Sequence, residues 1–357
     1  MTLQPSINNP DLVHALRGGV TESFHCGALA IVDADGAQVL ALGDTQRPIF
    51  ARSACKVLQA LPLVEGGAAD ALQLSDDELA LACASHGGEP RHVATAAAML
   101  AKAGLDESVL ECGAHWPSFD GALKNLAREG RDPSALHNNC SGKHAGFVCV
   151  GCMLAGAQHP GDPGAVRAFL KGYVRPDHPV MREVSAALQA ATGCDLAHAP
   201  MGTDGCSIPT FGVPLQALAL GFARVATGVG LSEGRARAAR RLRQAVARSP
   251  HFVAGTGRFD TRVMQRLGER VFCKVGAEGV YCAALPEAGL GVAIKMDDGN
   301  NARAAEVVMA AVIEARVRLD DDERGFIHGL SELTLRNWNG ITVGALQASP
   351  RLRAALA

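Results

Sequence analysis

The strongest constraint on this chain is where its two hydrophobic periodicities fall. Apolar runs of strand length lie near its ends, and helical spacing fills the middle. Gly27 to Leu42, GALAIVDADGAQVLAL, gives two apolar runs around Asp35-Gly36, a hairpin signal. Val271 to Met296 gives three more, FCKV, GVYCAAL and GLGVAIKM, separated by Ala277-Glu278-Gly279 and Pro286-Glu287-Ala288. These read as a three-stranded antiparallel meander. Between them, Ala54–Leu63, Ser75–Ala84, His92–Ala103, Asp120–Glu129, Lys143–Ala155, Pro179–Thr192, Leu215–Thr227 and Ser232–Arg248 show helical spacing. Asn301–Val317 adds an amphipathic helix with Asn300 or Asn301 as its cap. Isolated hairpins are marginal in water, so strands at the two ends gain most by sharing a sheet. The predicted fold is α/β in the α+β sense. One antiparallel sheet is built from N- and C-terminal strands, the last helix covers its face, and a helical lobe is inserted between. The expected division of this single domain, 1–357, is a sheet lobe of about 20–52 and 250–357 and a helical lobe of about 53–249. The polar start, Met1 to Gly19, reads as irregular and Gly156–Pro163 as a loop.

Composition narrows the function. Charged residues make up 20% and the formal net charge is -2, which offers no global attraction to nucleic acid. No apolar run reaches the roughly 18 residues of a membrane span, and the N-terminus lacks the pattern of a secretory signal. A cytoplasmic protein is expected. Its eleven cysteines are an odd number without scaffold spacing, which favours reduced thiols, most of them small buried hydrophobes. The basic residues comprise 27 Arg and only 7 Lys, so each lysine near other reactive groups stands out.

Arg52-Ser53-Ala54-Cys55-Lys56 lies where a loop enters a helix. Ser53 at or near the N-cap and Lys56 three residues later share a face. A serine hydroxyl is a weak nucleophile until a base takes its proton. Lysine can be that base when desolvation or a neighbouring cation lowers its pKa. Ser-x-x-Lys alone is a common coincidence, matched equally by a capping serine and a solvated lysine. Lys274-Val275-Gly276 on the first strand of the meander changes the weight. Ser-x-x-Lys opening a helix, with Lys-x-Gly far downstream on a strand, is the pattern of penicillin-recognising acyl transferases. Ala84-Ser85-His86-Gly87-Gly88, a helix end entering a glycine-rich turn, places Ser85 where the middle group of such a site would sit.

Two polar loops carry thiols. Asn138 to Gly146, NNCSGKHAG, brings Cys140, Lys143 and His144 together, and Thr203 to Pro209, TDGCSIP, adds Asp204 and Cys206. Two thiolates and one nitrogen suit Zn2+ with a fourth position open. The alternatives for these loops are two ordinary turn cysteines beside a hydrogen-bonded histidine, or a Cys140–His144 nucleophile pair.

Taken together, these motifs resemble the L-asparaginase II family, the zinc-binding type with two Ser-Lys tandems. The most specific pieces are Arg52-Ser53-x-x-Lys56, Ala84-Ser85-His86-Gly87-Gly88, Asn139-Cys140-Ser141-Gly142-Lys143-His144, Asp204-Gly205-Cys206 and Lys274-x-Gly276, and the likeness begins at Glu22-Ser23-Phe24-His25-Cys26-Gly27. The resemblance implies a fold like that of serine beta-lactamases and glutaminases. It also implies a homodimer, hydrolysis of L-asparagine to L-aspartate and ammonia, and a single catalytic domain. Carried over by motif, Ser53 pairs with Lys56 and Ser85 with Lys274. Cys140, Lys143 and Cys206 hold zinc, while Asp204, His144 and Arg52 are candidates for holding substrate. Glu89, Arg91 and Asp298 are further loop candidates. The competing readings are a glutaminase or another Ser-Lys amidase, a non-catalytic zinc or thiol sensor, and a binding module on the arginine-rich helix Arg235–Arg243. No nucleic-acid or membrane partner is expected.

Overall fold

In the computed structural model, residues 9–158 and 162–357 are described. Eleven strands are found among them. They are β1 (Asp11–Arg17), β2 (Val20–Asp33), β3 (Gln38–Leu42), β4 (Pro48–Phe50), β5 (Met201–Thr203), β6 (Pro209–Pro214), β7 (Phe272–Val275), β8 (Val280–Leu285), β9 (Leu290–Met296), β10 (Glu332–Arg336) and β11 (Thr342–Ala348). The chain divides into two compact units. The first holds residues 1–54, 212–229 and 270–357, and the second holds 55–211 and 230–269.

The first unit is built on an eight-stranded sheet with the order β10-β11-β1-β2-β9-β8-β7, β3 pairing with β2 off that path. The hairpin at Asp35-Gly36 and the C-terminal meander form as expected, and β2 joins them to the meander antiparallel, Leu29 facing Ile294. Ala28 to Val32 are all buried, which is why β2 reads as an unbroken apolar run and not as an alternation. The helix Leu215–Thr227 lies on β9, β2 and β8. It comes so close to β9 that a Cβ on Gly291 would overlap Ala219 O and Ala223 N. The helix Glu306–Arg316 lies against β8, β1 and β11. Its first turn, Asn301–Ala305, is π-helical, with Asn300 as the cap accepting from Arg303 N at 3.0 Å.

The sequence reading needs three corrections here. The polar start is not irregular throughout, because Asp11–Arg17 is a strand held between β11 and β2 (residues 1–8 lie outside the described residues). Glu306–Arg316 is not the last helix, since Asp321–Ser331 and Pro350–Leu356 follow it around the β10–β11 hairpin. The helix that contains Lys143 runs Ser141–Gln158, so Gly156 belongs to it, while 159–161 of the expected loop lie outside the described residues.

The second unit is mainly helical. Pro179–Thr192 starts on a proline and stops at Gly193 in the left-handed region. Asp76–Ala82 starts with a capping box between Ser75 and Glu78. The helix Ser141–Gln158 is buried along most of its length and meets Asp76–Ala82 at Gly142, where a Cβ would overlap Leu81. This close approach sets the polar start of one helix beside the end of the other.

Candidate active site

Burying a lysine is costly unless its amine finds partners. Here Lys56, Lys143 and Lys274 are all buried, three of the seven in the chain. Each is one of the lysines singled out by motif.

Lys56 opens the short helix Lys56–Gln59 in the second unit. Its Nζ lies 3.0 Å from Ser85 Oγ, also contacts Ala84 O, and reaches Asn139 O at 3.5 Å. Ser85 follows the helix Asp76–Ala82, and its own N–H donates to Val253 O at 2.8 Å. The next residue, His86, is buried and bridges to the start of the Ser141–Gln158 helix. Its Nδ1 accepts from Gly88 N at 3.1 Å, which leaves Nε2–H to donate to Ser141 Oγ at 2.9 Å. Burial pushes His86 well below the usual imidazole pKa, with neighbouring His92 and Lys56 adding to the shift. It is a neutral strut.

Ser53 is not a helix cap. It lies in the 3-10 turn Arg52–Cys55, and the N-cap of the following helix is Cys55. The division between the two units falls just after it, between Ala54 and Cys55. Arg52 has φ 50°, the left-handed region that a side chain enters only at a cost of order 1–3 kcal/mol. In the first unit, Arg52 shares with Arg47, Lys295, Glu278, Asp297 and Phe50 the lining of a cavity of about 380 Å³. Lys274 sits in the same unit on β7, and its Nζ donates to Val275 O at 2.7 Å.

The thiol loops converge within the second unit. Lys143 Nζ donates to Cys206 Sγ at 3.0 Å. A hydrogen bond from Cys206, followed by the charges of Lys143 and Lys56, holds Cys140 well below the ordinary thiol range despite its burial. Cys206 moves the other way, raised by its bond to the Cys140 thiolate and by burial. Burial would lower Lys143, but Cys140, Cys206 and Asp204 outweigh it and its amine is raised. Cys140 and Cys206 both lie among buried side chains, so neither is the exposed turn thiol of the simpler reading. Asp204 accepts from Gly205 N at 2.7 Å, in a turn where Ser207 has φ 78°. His144 is fully buried with Nδ1 2.7 Å from Tyr173 Oη.

A second metal-like group, Glu89, His92 and His251, brings its ligand atoms within 4.8 Å of one another. Its hydrogen bonds remove His92 as a ligand, while the buried Nε2 of His251 has no hydrogen-bond partner. His92 Nδ1 accepts from Glu89 N at 3.2 Å, and its Nε2–H donates to His251 O at 3.1 Å, so neither nitrogen has a lone pair to give. Glu89 is held by Thr256 N and Thr256 Oγ1, both at 2.7 Å. His86, His92 and His251 stack with ring centroids 4.9 and 4.8 Å apart. The stack supports the Ser85–Gly88 turn. Glu89 is thus a structural anchor, Arg91 lies over the Phe252 ring, and Asp298 bonds His25 in the first unit. No signal in the local sequence joins His92 and His251 to Ser85 or Tyr173 to His144, because each pair meets only through folding.

The second unit thus holds one buried lysine amine against a serine and another against a thiol. The chain belongs to the L-asparaginase II family, whose model matches residues 13–348. No curated protein matches it. Solved structures with some likeness are crystal structures of Mglu. One is 15% identical, with 78% of this chain and 64% of that chain covered and a TM-score of 0.34. A second, in its native form in the presence of 4.3 M NaCl, is 16% identical, with 78% and 58% covered and a TM-score of 0.33. The chain spans less than two thirds of the length of either. Among the described residues, no helix is long and apolar enough to cross a membrane.

Proposed function

We propose that this protein is an amidohydrolase that converts L-asparagine and water to L-aspartate and ammonia through a serine activated by Lys56. The observation that carries the reading is the buried Lys56 amine 3.0 Å from Ser85 Oγ. Family membership supports the class of reaction. The cavity beside Arg52, lined by charges of both signs, suits a zwitterionic amino acid.

In the proposed path the free-amine form of Lys56 takes the proton of Ser53, and Ser53 Oγ attacks the side-chain amide carbon. Lys56 returns that proton through the Ser85 hydroxyl to the departing ammonia, and Lys274 is kept as the second amine of the motif set. Water then cleaves the ester and releases aspartate, restoring the serine hydroxyl. The Lys56–Ser85 contact also favours a second reading, in which Ser85 is the nucleophile. Ammonia release by Ser53→Ala and Ser85→Ala decides between them. Loss of all acyl-enzyme formation in Ser53→Ala supports the first, and a fully active Ser53→Ala protein overturns it. Side-by-side rates on L-asparagine and L-glutamine test the substrate. A preference for glutamine would replace asparaginase with glutaminase, since one methylene separates substrates by only about 1–3 kcal/mol.

Zinc belongs to the same proposal. Cys140, Lys143 and Cys206 supply two sulfurs and a nitrogen in one buried cluster, a donor set suited to zinc. Cys140, Lys143 and Cys206 would hold the ion, and the Lys143–Cys206 hydrogen bond would give way to it. An amine binds only after losing its proton. Bound there, zinc would supply Lewis-acid orientation of the substrate. Asp204 and His144 are assigned to substrate contact, and Arg52 to the carboxylate. A homodimer and a cytoplasmic location complete the reading.

A further inference from the structure

Tyr173 is one of two tyrosines in the chain and is fully buried. Its hydroxyl has two neighbours in hydrogen-bonding range. The N–H of Glu111 donates to it at 3.0 Å, and His144 Nδ1 lies 2.7 Å away. The first contact fixes the hydroxyl as an acceptor on one side. Two arrangements remain for the second. If Tyr173 donates to Nδ1, its proton is used and one buried polar group, the Nε2–H of His144, is left without a partner. If Nδ1–H donates instead, two groups are left over, the tyrosine proton and the Nε2 lone pair. Each unsatisfied buried group costs about 1–3 kcal/mol, so the first arrangement is favoured. His144 Nε2 is indeed buried and unpartnered. Fully buried against a hydroxyl, the imidazole is held neutral, since a protonated ring would leave a buried charge, its Nε2–H and the tyrosine proton all without partners.

A neutral imidazole locked in the Nε2–H form cannot coordinate a metal through Nε2, cannot act there as a base, and cannot accept from an ammonium group. It can donate one hydrogen bond to an oxygen. An ionised carboxylate, which only accepts hydrogen bonds, is the oxygen group that suits such a donor. We propose that His144 is a fixed-tautomer donor to a carboxylate oxygen of the substrate or its acid product, with Tyr173 as the positioning residue that sets the tautomer. The inference deepens the asparaginase reading and rests on it for the identity of the carboxylate. It narrows the assignment of His144 from substrate contact in general to donation toward an oxygen. Glu111 extends the chain of control, because its backbone N–H can only donate and so leaves the tyrosine proton for Nδ1.

Two measurements on the intact protein test this. Long-range proton–nitrogen NMR of 15N-labelled protein, with His144 assigned by its loss in His144→Gln, reads the tautomer without any substrate. The expected result is Nε2–H in the wild type and a mixture with Nδ1–H in Tyr173→Phe. L-aspartate is then titrated as the probe, and the His144 Nε2–H proton should move downfield. An Nδ1–H tautomer in the wild type, or a signal that saturating L-aspartate leaves unmoved, overturns the proposal even if asparagine is hydrolysed. In kinetics, His144→Ala should raise KM and the L-aspartate inhibition constant roughly ten- to hundredfold. His144→Gln, which keeps an amide N–H at similar reach, should recover most of that loss. Equal losses in kcat with KM unchanged, or no recovery by glutamine in a folded protein, would show a merely structural histidine. An Nε2–H tautomer and an aspartate response in a protein that releases no ammonia from asparagine would instead overturn the asparaginase reading and leave the carboxylate donor standing.

Discussion

Two buried polar clusters of the helical unit look alike in composition and differ in what their hydrogen bonds have already consumed. In the Glu89–His92–His251 cluster the backbone takes both nitrogens of His92, and Thr256 holds the carboxylate. In the Cys140–Lys143–Cys206 cluster the side chains bond chiefly to one another. Groups spent on the backbone hold a turn in place. Groups spent on each other can be recruited by an ion or a substrate. Proximity of ligand atoms does not separate the two, whereas the accounting of lone pairs does.

The comparison can be broken at several points. The largest expected effect is on catalysis. Lys56→Met should reduce ammonia release from L-asparagine by about a thousandfold or more, with circular dichroism and melting little changed. Activity within tenfold of wild type would remove Lys56 from the chemistry. Next is metal content by elemental analysis. Cys206→Ser and Cys140→Ser should each lose most bound zinc, while Glu89→Gln keeps it, and the reverse pattern would exchange the roles of the two clusters.

The third effect is acid sensitivity. Burial, with repulsion from His251, lowers His92 to about 4 from its ordinary 6.5. The unfolded chain therefore binds a proton that the folded one refuses, so stability is full above about pH 6.5 and falls as pH drops toward 4. The span is about 3 kcal/mol. Urea midpoints at pH 7, 5.5 and 4 should show this loss in the wild type and a flatter dependence in His92→Gln. Parallel pH profiles would mean that His92 does not carry the effect. The smallest expected change is from Thr256→Val, which removes one bond to Glu89. It should cost about 1–2 kcal/mol in urea titration and leave kcat alone. A fall in kcat there would tie the supporting cluster to turnover.

What could be read from the sequence follows the range of the forces involved. The helices Pro179–Thr192 and Leu215–Thr227 have the expected ends because glycines at 193 and 228, both in the left-handed region, stop them locally. The meander is legible for the same reason, with turns between continuous apolar runs. β1, β10 and β11 are not. β1 has a bulged, irregular alternation, β10 is largely exposed, and β1 pairs with β11 across the length of the chain, Val13 facing Ala348. The motif residues themselves are readable, since Ser-x-x-Lys and the paired thiols carry chemical meaning as residue types. Their partners are not. Tyr173 sits in Lys171-Gly172-Tyr173-Val174 with nothing nearby to mark it, and only the fold brings its hydroxyl to His144. The Lys56–Ser85 contact likewise joins two motifs that the family resemblance assigns to different pairs.

The scarcity and burial of lysine have a practical consequence. Lys102, Lys124 and Lys171 are exposed and Lys295 is partly so, while Lys56, Lys143 and Lys274 are sealed in the interior. Reagents that acylate amines should therefore decorate the folded surface without touching the three interior amines. Those three become reactive when the chain opens, so mass-resolved labelling at just these positions would act as an internal clock for unfolding, and covalent immobilisation through lysine should leave the interior amines unmodified.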